Sequence, residues 1–178
     1  MRIPGLVVAG GLSAALCAVL AVQARAAEEE RPIDPIVAVS NGDPLELGRF
    51  VERHGDRYVV ARLGDGHPVD TRLAAVRATP WLDAPERVLD PLSGMAAGRD
   101  PHLAPAAAWA AYRITSDLDG IAASQREVMW PALASALRNL RRLADDGTAR
   151  RDLRRVAAFA ADALAQLDPS AGDGAKAP

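Results

Sequence analysis

Two segments of the chain repeat the same order of residue types at a spacing of 33 residues. Residues 68–81 read PVDTRLAAVRATPW, and residues 101–114 read PHLAPAAAWAAYRI. When the two are superposed, Pro68 falls on Pro101 and the pair Ala74-Ala75 falls on Ala107-Ala108. A period of this size, with one helical hairpin in each unit, is typical of an α-solenoid. The repeat therefore predicts a short array of antiparallel helical hairpins.

A third copy of the pattern follows after an insertion of 17 residues, where Ala157-Ala158, Phe159, Ala161 and Leu164 repeat the order of the second copy. The insertion departs from a regular array. The sequence therefore leaves open whether the third hairpin stacks in register with the first two. A helical bundle without sequential stacking is the alternative architecture.

The composition favours helices that pack closely on one another. With 178 residues the chain has room for about one domain, and its hydrophobic content of 49% is enough for a core. Only 4% of the residues are aromatic, and Ala, the strongest helix former, dominates. Few β-branched runs alternate with a period of two, so no sheet is expected. The predicted fold class is all-α.

Local signals place the helical domain at residues 43–167. Asp43 and Pro44 supply a capping residue and a first-turn proline, and Gly55 supplies a helix end. A proline at position 91 falls inside a later helix and predicts a kink. The segment 101–114 carries one apolar stripe, and it is predicted to be the buried centre of the domain; the stripe is Leu103, Ala107, Ala110, Ala111 and Ile114. Core packing is also predicted for Trp81, Trp109 and Trp130, the alternative being that they line a groove.

The two ends of the chain are predicted to lie outside this domain. Residues 1–26 have a positive start at Arg2, an apolar stretch and an A-x-A cleavage site at 24–26, which is typical of a signal peptide. The protein is therefore expected to be exported, to the periplasm or beyond the cell; an uncleaved anchor helix in the inner membrane is the alternative. Residues 27–42 are predicted to be a linker and residues 168–178 a disordered tail.

Catalytic, metal and cofactor signals are absent from the sequence. The three histidines, His54, His67 and His102, form no H-x-x-x-H or H-E-x-x-H pattern, and the single cysteine, Cys17, lies in the predicted signal peptide. We therefore predict no catalytic residue, no metal site and no cofactor. The net charge of -2 excludes a basic protein that coats nucleic acid.

One charge cluster stands out near the carboxyl end. Residues 121–167 carry eight Arg and five acidic residues, whereas residues 28–120 carry ten Arg and sixteen acidic residues. Two arginine triplets recur at i, i+3, i+4 on consecutive helices, so their side chains are predicted to gather at one end of a hairpin. This arginine cluster comprises Arg138, Arg141, Arg142, Arg150, Arg151, Arg154 and Arg155. It predicts contact with an acidic protein, an anionic lipid headgroup or the acidic half of a second copy; an ordinary solvated face is the alternative.

The paired helices resemble HEAT repeats in the short form that bacteria use. Two segments carry the resemblance, Gly98-Arg99-Asp100-Pro101 before the alanines of 106–108, and Pro68 with the residues of 72–76. HEAT-like proteins are mostly protein-binding scaffolds without catalytic residues. The resemblance therefore implies an exported, non-catalytic binding or scaffold module of the bacterial cell envelope. The alternative function is an enzyme or an enzyme accessory subunit with a site between helices, which a polar pocket would favour over an Ala-lined groove.

Overall fold

A computed structural model describes residues 32–118 and 122–171 of the chain. The predicted signal peptide, part of the predicted linker (27–31) and most of the predicted tail (172–178) lie outside the described residues. The chain divides into two units, Met1–Ile33 and Asp34–Pro178, and the helical fold is that of the second unit. The residues described in it form helices and no strand, which confirms the predicted all-α class.

The described α-helices follow one another with short connections. In chain order they are α1 Pro35–Ser40, α2 Pro44–His54, α3 Asp56–Ala61, α4 Val69–Ala78, α5 Leu89–Ala96, α6 Leu103–Asp117, α7 Ala123–Asp145 and α8 Arg151–Ala165. Single turns of 3-10 helix lie at Thr79–Trp81, Pro85–Val88 and Pro169–Ala171. None of the helices in the described part of the chain is long and apolar enough to cross a membrane.

The start and the end of α2 agree with the local signals. Asp43 caps the helix by accepting a 2.9 Å hydrogen bond from the Leu45 N–H, and Pro44 occupies the first turn. Gly55 ends it with a φ of 78°, a left-handed conformation that suits glycine. The prediction of this helix is confirmed.

The predicted linker contains a helix instead of an extended connection. Asp34 caps α1 through a 3.2 Å hydrogen bond from the Ile36 N–H, and α1 packs against α2 and α4. Ile36 is fully buried in the core, so residues 35–40 belong to the helical domain. The linker prediction is wrong for these residues because the burial of Ile36 stabilises a helix of only six residues.

The predicted tail begins later than residue 168. Asp168 accepts hydrogen bonds from the backbone N–H and the hydroxyl of Ser170, and the turn Pro169–Ala171 packs on α7. Leu167, directly before it, is buried in the core. The expected disorder is therefore wrong at residues 168–171.

Pro91 lies nearer the start of its helix than the sequence suggests. Pro85–Val88 form a 3-10 turn, and α5 begins only at Leu89. Pro91 is thus in the first turn of α5, where a backbone N–H would have no partner within the helix. The predicted kink of a helix interior at this position is wrong for that reason.

The helices pack in two layers. One layer runs from α4 to α6 to α8, each in contact with the next, and α5 packs on α7 in the other layer. Contacts between α5 and α6, and between α7 and α8, join the layers into hairpins. The third hairpin therefore follows the second in the same order, although it contains the insertion. Membership of the HEAT family stays a prediction.

The central position of α6 is confirmed, with one exception on its surface. All five residues of the predicted stripe are buried, and Ala107 and Ala111 have no exposed area. Trp109, which was expected in the core, is 55% exposed. A helix in contact with α4, α5 and α8 still has one uncovered side, and Trp109 lies there.

Candidate functional site

The uncovered side of the α4–α6–α8 layer carries a row of aromatic and arginine side chains, which we call the aromatic face. It consists of Trp81, Trp109, Tyr112 and Phe159 with Arg77, Arg113 and Arg155. On α6 the spacing i, i+3, i+4 places Trp109, Tyr112 and Arg113 on one side of the helix, opposite to the buried stripe. On α8 the same rule places Arg155 and Phe159 together.

The first groove of this face lies between α6 and the turn that follows α4. It has a volume of about 340 Å³, and its walls are mainly apolar: Leu47, Val76, Pro80, Trp81, Ala106, Trp109 and Ala110. Arg77 and Arg113 also line it. The guanidinium carbon of Arg113 lies 5.9 Å from the centre of the Trp81 ring, within the range of a cation–π interaction. A methyl group at Gly48 of α2 would contact the Trp81 ring at 3.6 Å, so α2 supports the ring from the side.

The second groove lies between α6 and α8 and has a volume of about 320 Å³. Its lining residues are Trp109, Tyr112, Asp152, Arg155, Val156 and Phe159. The rings of Trp109 and Tyr112 meet edge to face at 5.8 Å, and those of Tyr112 and Phe159 are 6.3 Å apart. These contacts hold the three rings in one defined arrangement. Trp109 lines both grooves and forms the ridge between them.

The lining of the grooves shows that α6 and α8 run in the same direction. Trp109, near the middle of α6, shares the second groove with Arg155, in the first half of α8. Further along, Ser116 of α6 shares a neighbouring cavity with Gln166, just beyond the end of α8. The equivalent second and third copies of the sequence repeat therefore lie side by side.

The two most exposed large aromatic rings among the described residues belong to this face. Trp109 is 55% exposed and Phe159 is 52% exposed. Single exposed apolar residues are ordinary on a protein surface, but adjacent ones held by ring contacts indicate an interaction site. Tryptophan, tyrosine and arginine are also the residue types that dominate binding energy at interfaces.

The seven residues of the predicted arginine cluster lie along α7, at its turn to α8 and in the first turns of α8. Arg150 forms a 2.6 Å ion pair with Asp152. The pKa of Asp146 is lowered mainly by the hydroxyl of Thr148 and further by the charge of Arg154. The pKa of Asp168 is lowered mainly by Ser170 and further by the charge of Arg141. Different members of the cluster therefore act on different carboxylates.

Helix geometry sets the direction of these arginine side chains. Side chains on an α-helix tilt toward its amino end. On α7 the arginines Arg138, Arg141 and Arg142 thus tilt away from the turn, whereas on α8 Arg151, Arg154 and Arg155 tilt toward it. All of them are exposed except Arg154, which is half-buried. Only Arg155 lines a groove of the aromatic face.

A more polar cavity of about 500 Å³ lies where α4, α5 and α6 meet, and its charged lining residues are Asp65, Arg72, Arg99 and Asp100. Arg72 pairs with Asp65 at 2.7 Å and donates a hydrogen bond from Nε to the carbonyl of Leu63 at 3.3 Å. Asp100 accepts hydrogen bonds from the backbone N–H groups of Leu103 and His102, which lower its pKa. Asp100, one of the residues that carry the HEAT resemblance, thus fixes the start of α6, whereas Arg72 holds the segment before α4.

The histidines do not converge with one another or with carboxylates on this cavity. His54 stacks on Phe50 with ring centres 4.2 Å apart, and neither it nor His67 or His102 lines the cavity. Within residues 32–118 and 122–171, no group of three His, Cys, Asp or Glu side chains is placed to hold a metal ion.

Sequence reasoning therefore missed the principal feature of this surface. The arginine cluster included one of its residues, Arg155, and the groove alternative for the tryptophans included Trp81 and Trp109. The signal that could have found it is the spacing of Trp109, Tyr112 and Arg113 opposite the buried stripe of α6. No protein-family model, no curated protein and no solved structure matches the chain.

Proposed function

We propose that the protein is an exported, non-catalytic protein-binding module of the cell envelope and that it binds its partner through the aromatic face. The observation that supports this most is the exposed and mutually packed set Trp109, Tyr112 and Phe159. Export is supported by the signal-like sequence of residues 1–26.

Burial and preorganisation both favour binding of a partner at the aromatic face. Covering a large aromatic ring removes apolar area from water, at about 25 cal/mol per Å². The rings already contact one another and extend from packed helices, so binding orders few additional rotamers. A face of this kind gives affinity without any group that performs chemistry.

Site-specific photo-crosslinking tests the proposal. A photoreactive phenylalanine analogue replaces Phe159 in the exported protein, and in a matched control it replaces Val60, which is 44% exposed on α3 and lines neither groove. We expect a partner protein to be crosslinked from position 159 only. The crosslinked partner, purified separately, should then bind the wild type and lose affinity for Trp109→Ala.

Two outcomes would contradict the proposal. One is the same set of crosslinked proteins from both positions, which would mean random collision in the envelope. The other is a purified partner that binds wild type and Trp109→Ala equally. An affinity pull-down from envelope extract supplies the candidate partners for this comparison.

A further inference from the structure

We propose that the partner segment bound by the aromatic face is an acidic, proline-rich stretch in the extended polyproline II conformation. This inference rests on the proposed function and names the chemistry of its ligand. The segment lies across α4, α6 and α8, enters the first groove, passes over Trp109 and enters the second groove. The shape and the charge of the face both support this occupant.

The charge of the face favours carboxylates. In the described part of the chain, neither Arg113 nor Arg155 has a carboxylate within the 4.0 Å distance of a salt bridge. Arg77 donates a hydrogen bond from Nη1 to the side-chain oxygen of Asn41 at 2.9 Å, which leaves its charge uncompensated. Each groove is therefore lined by at least one arginine that is able to pair with an acidic ligand.

Each groove is also lined by one carboxylate that takes part in a contact within the fold. Asp43, which lines the first groove, accepts the hydrogen bond that caps α2. Asp152, which lines the second, accepts hydrogen bonds from Arg150 on both of its oxygens, at 3.2 and 2.6 Å. The acidic residue next along the face, Asp162, lines the cavity beyond the second groove. The first groove is thus lined by two arginines and one capping carboxylate, and in the second groove Asp152 is already paired with Arg150.

The usual spacing of packed helices agrees with the repeat of a polyproline II chain. Packed helices lie about 8–10 Å apart, so one groove follows the next at about that distance. A polyproline II chain rises about 3.1 Å per residue with three residues per turn, which gives a repeat of about 9.3 Å. A carboxylate at every third residue would thus meet Arg113 in the first groove and Arg155 in the second.

The apolar walls suit the residues between these carboxylates. Trp81, Pro80 and Trp109 line the first groove, and aromatic-lined grooves are the usual binding sites of proline-rich segments. A polyproline II segment also loses little conformational entropy on binding, because it is extended before it binds. An anionic membrane would satisfy the arginines too, but it would not use two grooves at a fixed spacing. The structure therefore favours the peptide.

Fluorescence anisotropy with designed peptides tests the inference. The probe is a labelled peptide of about twelve residues with the repeat Pro-Pro-Glu, whose carboxylates recur at every third residue. The first control has the repeat Pro-Pro-Gln, with the same shape and no charge. The second has the same number of glutamates in a Pro-Glu repeat, with the wrong spacing. We expect each control peptide to bind about tenfold more weakly at low salt.

Variants of the protein assign the effect to the aromatic face. Arg113→Gln and Arg155→Gln should each weaken binding of the Pro-Pro-Glu peptide about five- to tenfold. Arg142→Gln, an exposed change on α7 that lines neither groove, is the matched control and should leave binding unchanged. Thermal melts of each variant verify that the fold is retained.

Three results would overturn the inference. They are equal binding of the Pro-Pro-Glu and Pro-Pro-Gln peptides, an equal loss from Arg142→Gln and Arg155→Gln, and binding to phosphatidylglycerol vesicles without binding to the peptide. If none of the peptides binds while a partner is still crosslinked at position 159 and depends on Trp109, only the ligand class is wrong. If that crosslink is also absent, the proposed function fails with it.

Discussion

The hydroxyl of Tyr58 donates a 2.8 Å hydrogen bond to Oδ1 of Asp34, the residue that caps α1. The other carboxylate oxygen of Asp34 accepts a 2.6 Å hydrogen bond from Nε of Arg62. Burial raises the pKa of Asp34, but the hydrogen bonds from Tyr58, Arg62 and the Ile36 N–H together outweigh it, and the pKa is lowered. The Asp34 carboxylate thus attaches α1 to Tyr58 of α3 and to Arg62, the residue directly after α3.

This network predicts a specific loss of stability in acid. Because the folded pKa of Asp34 is lowered, its contribution is present above the unfolded pKa of about 3.9 and is lost as the pH falls through the folded pKa. Asp34→Asn should therefore destabilise the protein by about 1–3 kcal/mol at pH 7 and by progressively less below pH 4. Urea titrations at a series of pH values measure this difference. The same pH profile from the exposed control Asp117→Asn would contradict the assignment.

Ala107 of α6 tests the packing of the core. It has no exposed area, and its helix contacts α4, α5 and α8, so a larger side chain has no free space. Ala107→Leu should lower the free energy of unfolding by about 1–3 kcal/mol. The matched change Ala132→Leu, at an exposed position of α7, should have little effect. Equal midpoints of the two variants in denaturant titrations would show that α6 is not tightly packed.

The segment 1–26 predicts a defined amino terminus for the exported protein. Signal peptidase cleavage after Ala26 should leave Ala27 as the first residue. Intact-mass analysis of the protein purified from its native host measures this directly. A mass that includes Met1, found in the membrane fraction, would indicate an uncleaved anchor instead.

The different neighbours of the clustered arginines predict that these residues differ in importance for partner binding. Arg155 lines the second groove, whereas Arg141 and Arg154 act on Asp168 and Asp146. Arg155→Gln should therefore weaken partner binding more than the simultaneous change of Arg141, Arg142, Arg151 and Arg154 to Gln. Binding of the crosslinked partner at low salt compares the two variants. A larger loss from the fourfold variant would restore the cluster as the contact site.

One of these four arginines, Arg151, is also expected to affect the stability of the protein. Arg151 lies in the first turn of α8, where the positive end of the helix dipole disfavours a cation by about 0.3–1 kcal/mol at low salt. Removing its charge should therefore stabilise the protein slightly, and added salt should reduce the gain. Thermal melts of Arg151→Gln and wild type at two salt concentrations measure it. Equal melting temperatures of the two proteins at low salt would contradict this expectation.

Features that depend on neighbouring residues in the chain could be predicted from the sequence. The ends of α2 follow from Asp43, Pro44 and Gly55, which act within one turn of the helix. The buried side of α6 follows from the spacing of Leu103, Ala107 and Ile114 alone. By contrast, α1 has six residues, too few to show a helical period, and its helix depends on the burial of Ile36 by distant segments.

The candidate site could not be predicted from the sequence, because it depends on the absence of a described helix over Trp109. Trp109 is as apolar as a core residue, and only the arrangement of α4 and α8 beside α6 decides that nothing covers it. The arginine cluster is a different case. Its residues lie on consecutive helices as predicted, and its contact with an acidic partner stays a prediction.

The equivalent helices α5 and α7 differ in length, with 8 and 23 residues. This difference indicates which part of the fold accommodates additional residues. The insertion that lengthens the third copy lies mostly in α7, and α8 still packs beside α6. Neither groove of the aromatic face is lined by a described residue of α5 or α7. A foreign epitope inserted into the first turns of α7 should therefore leave ligand affinity intact. The layer behind the grooves is the natural attachment point for a reporter.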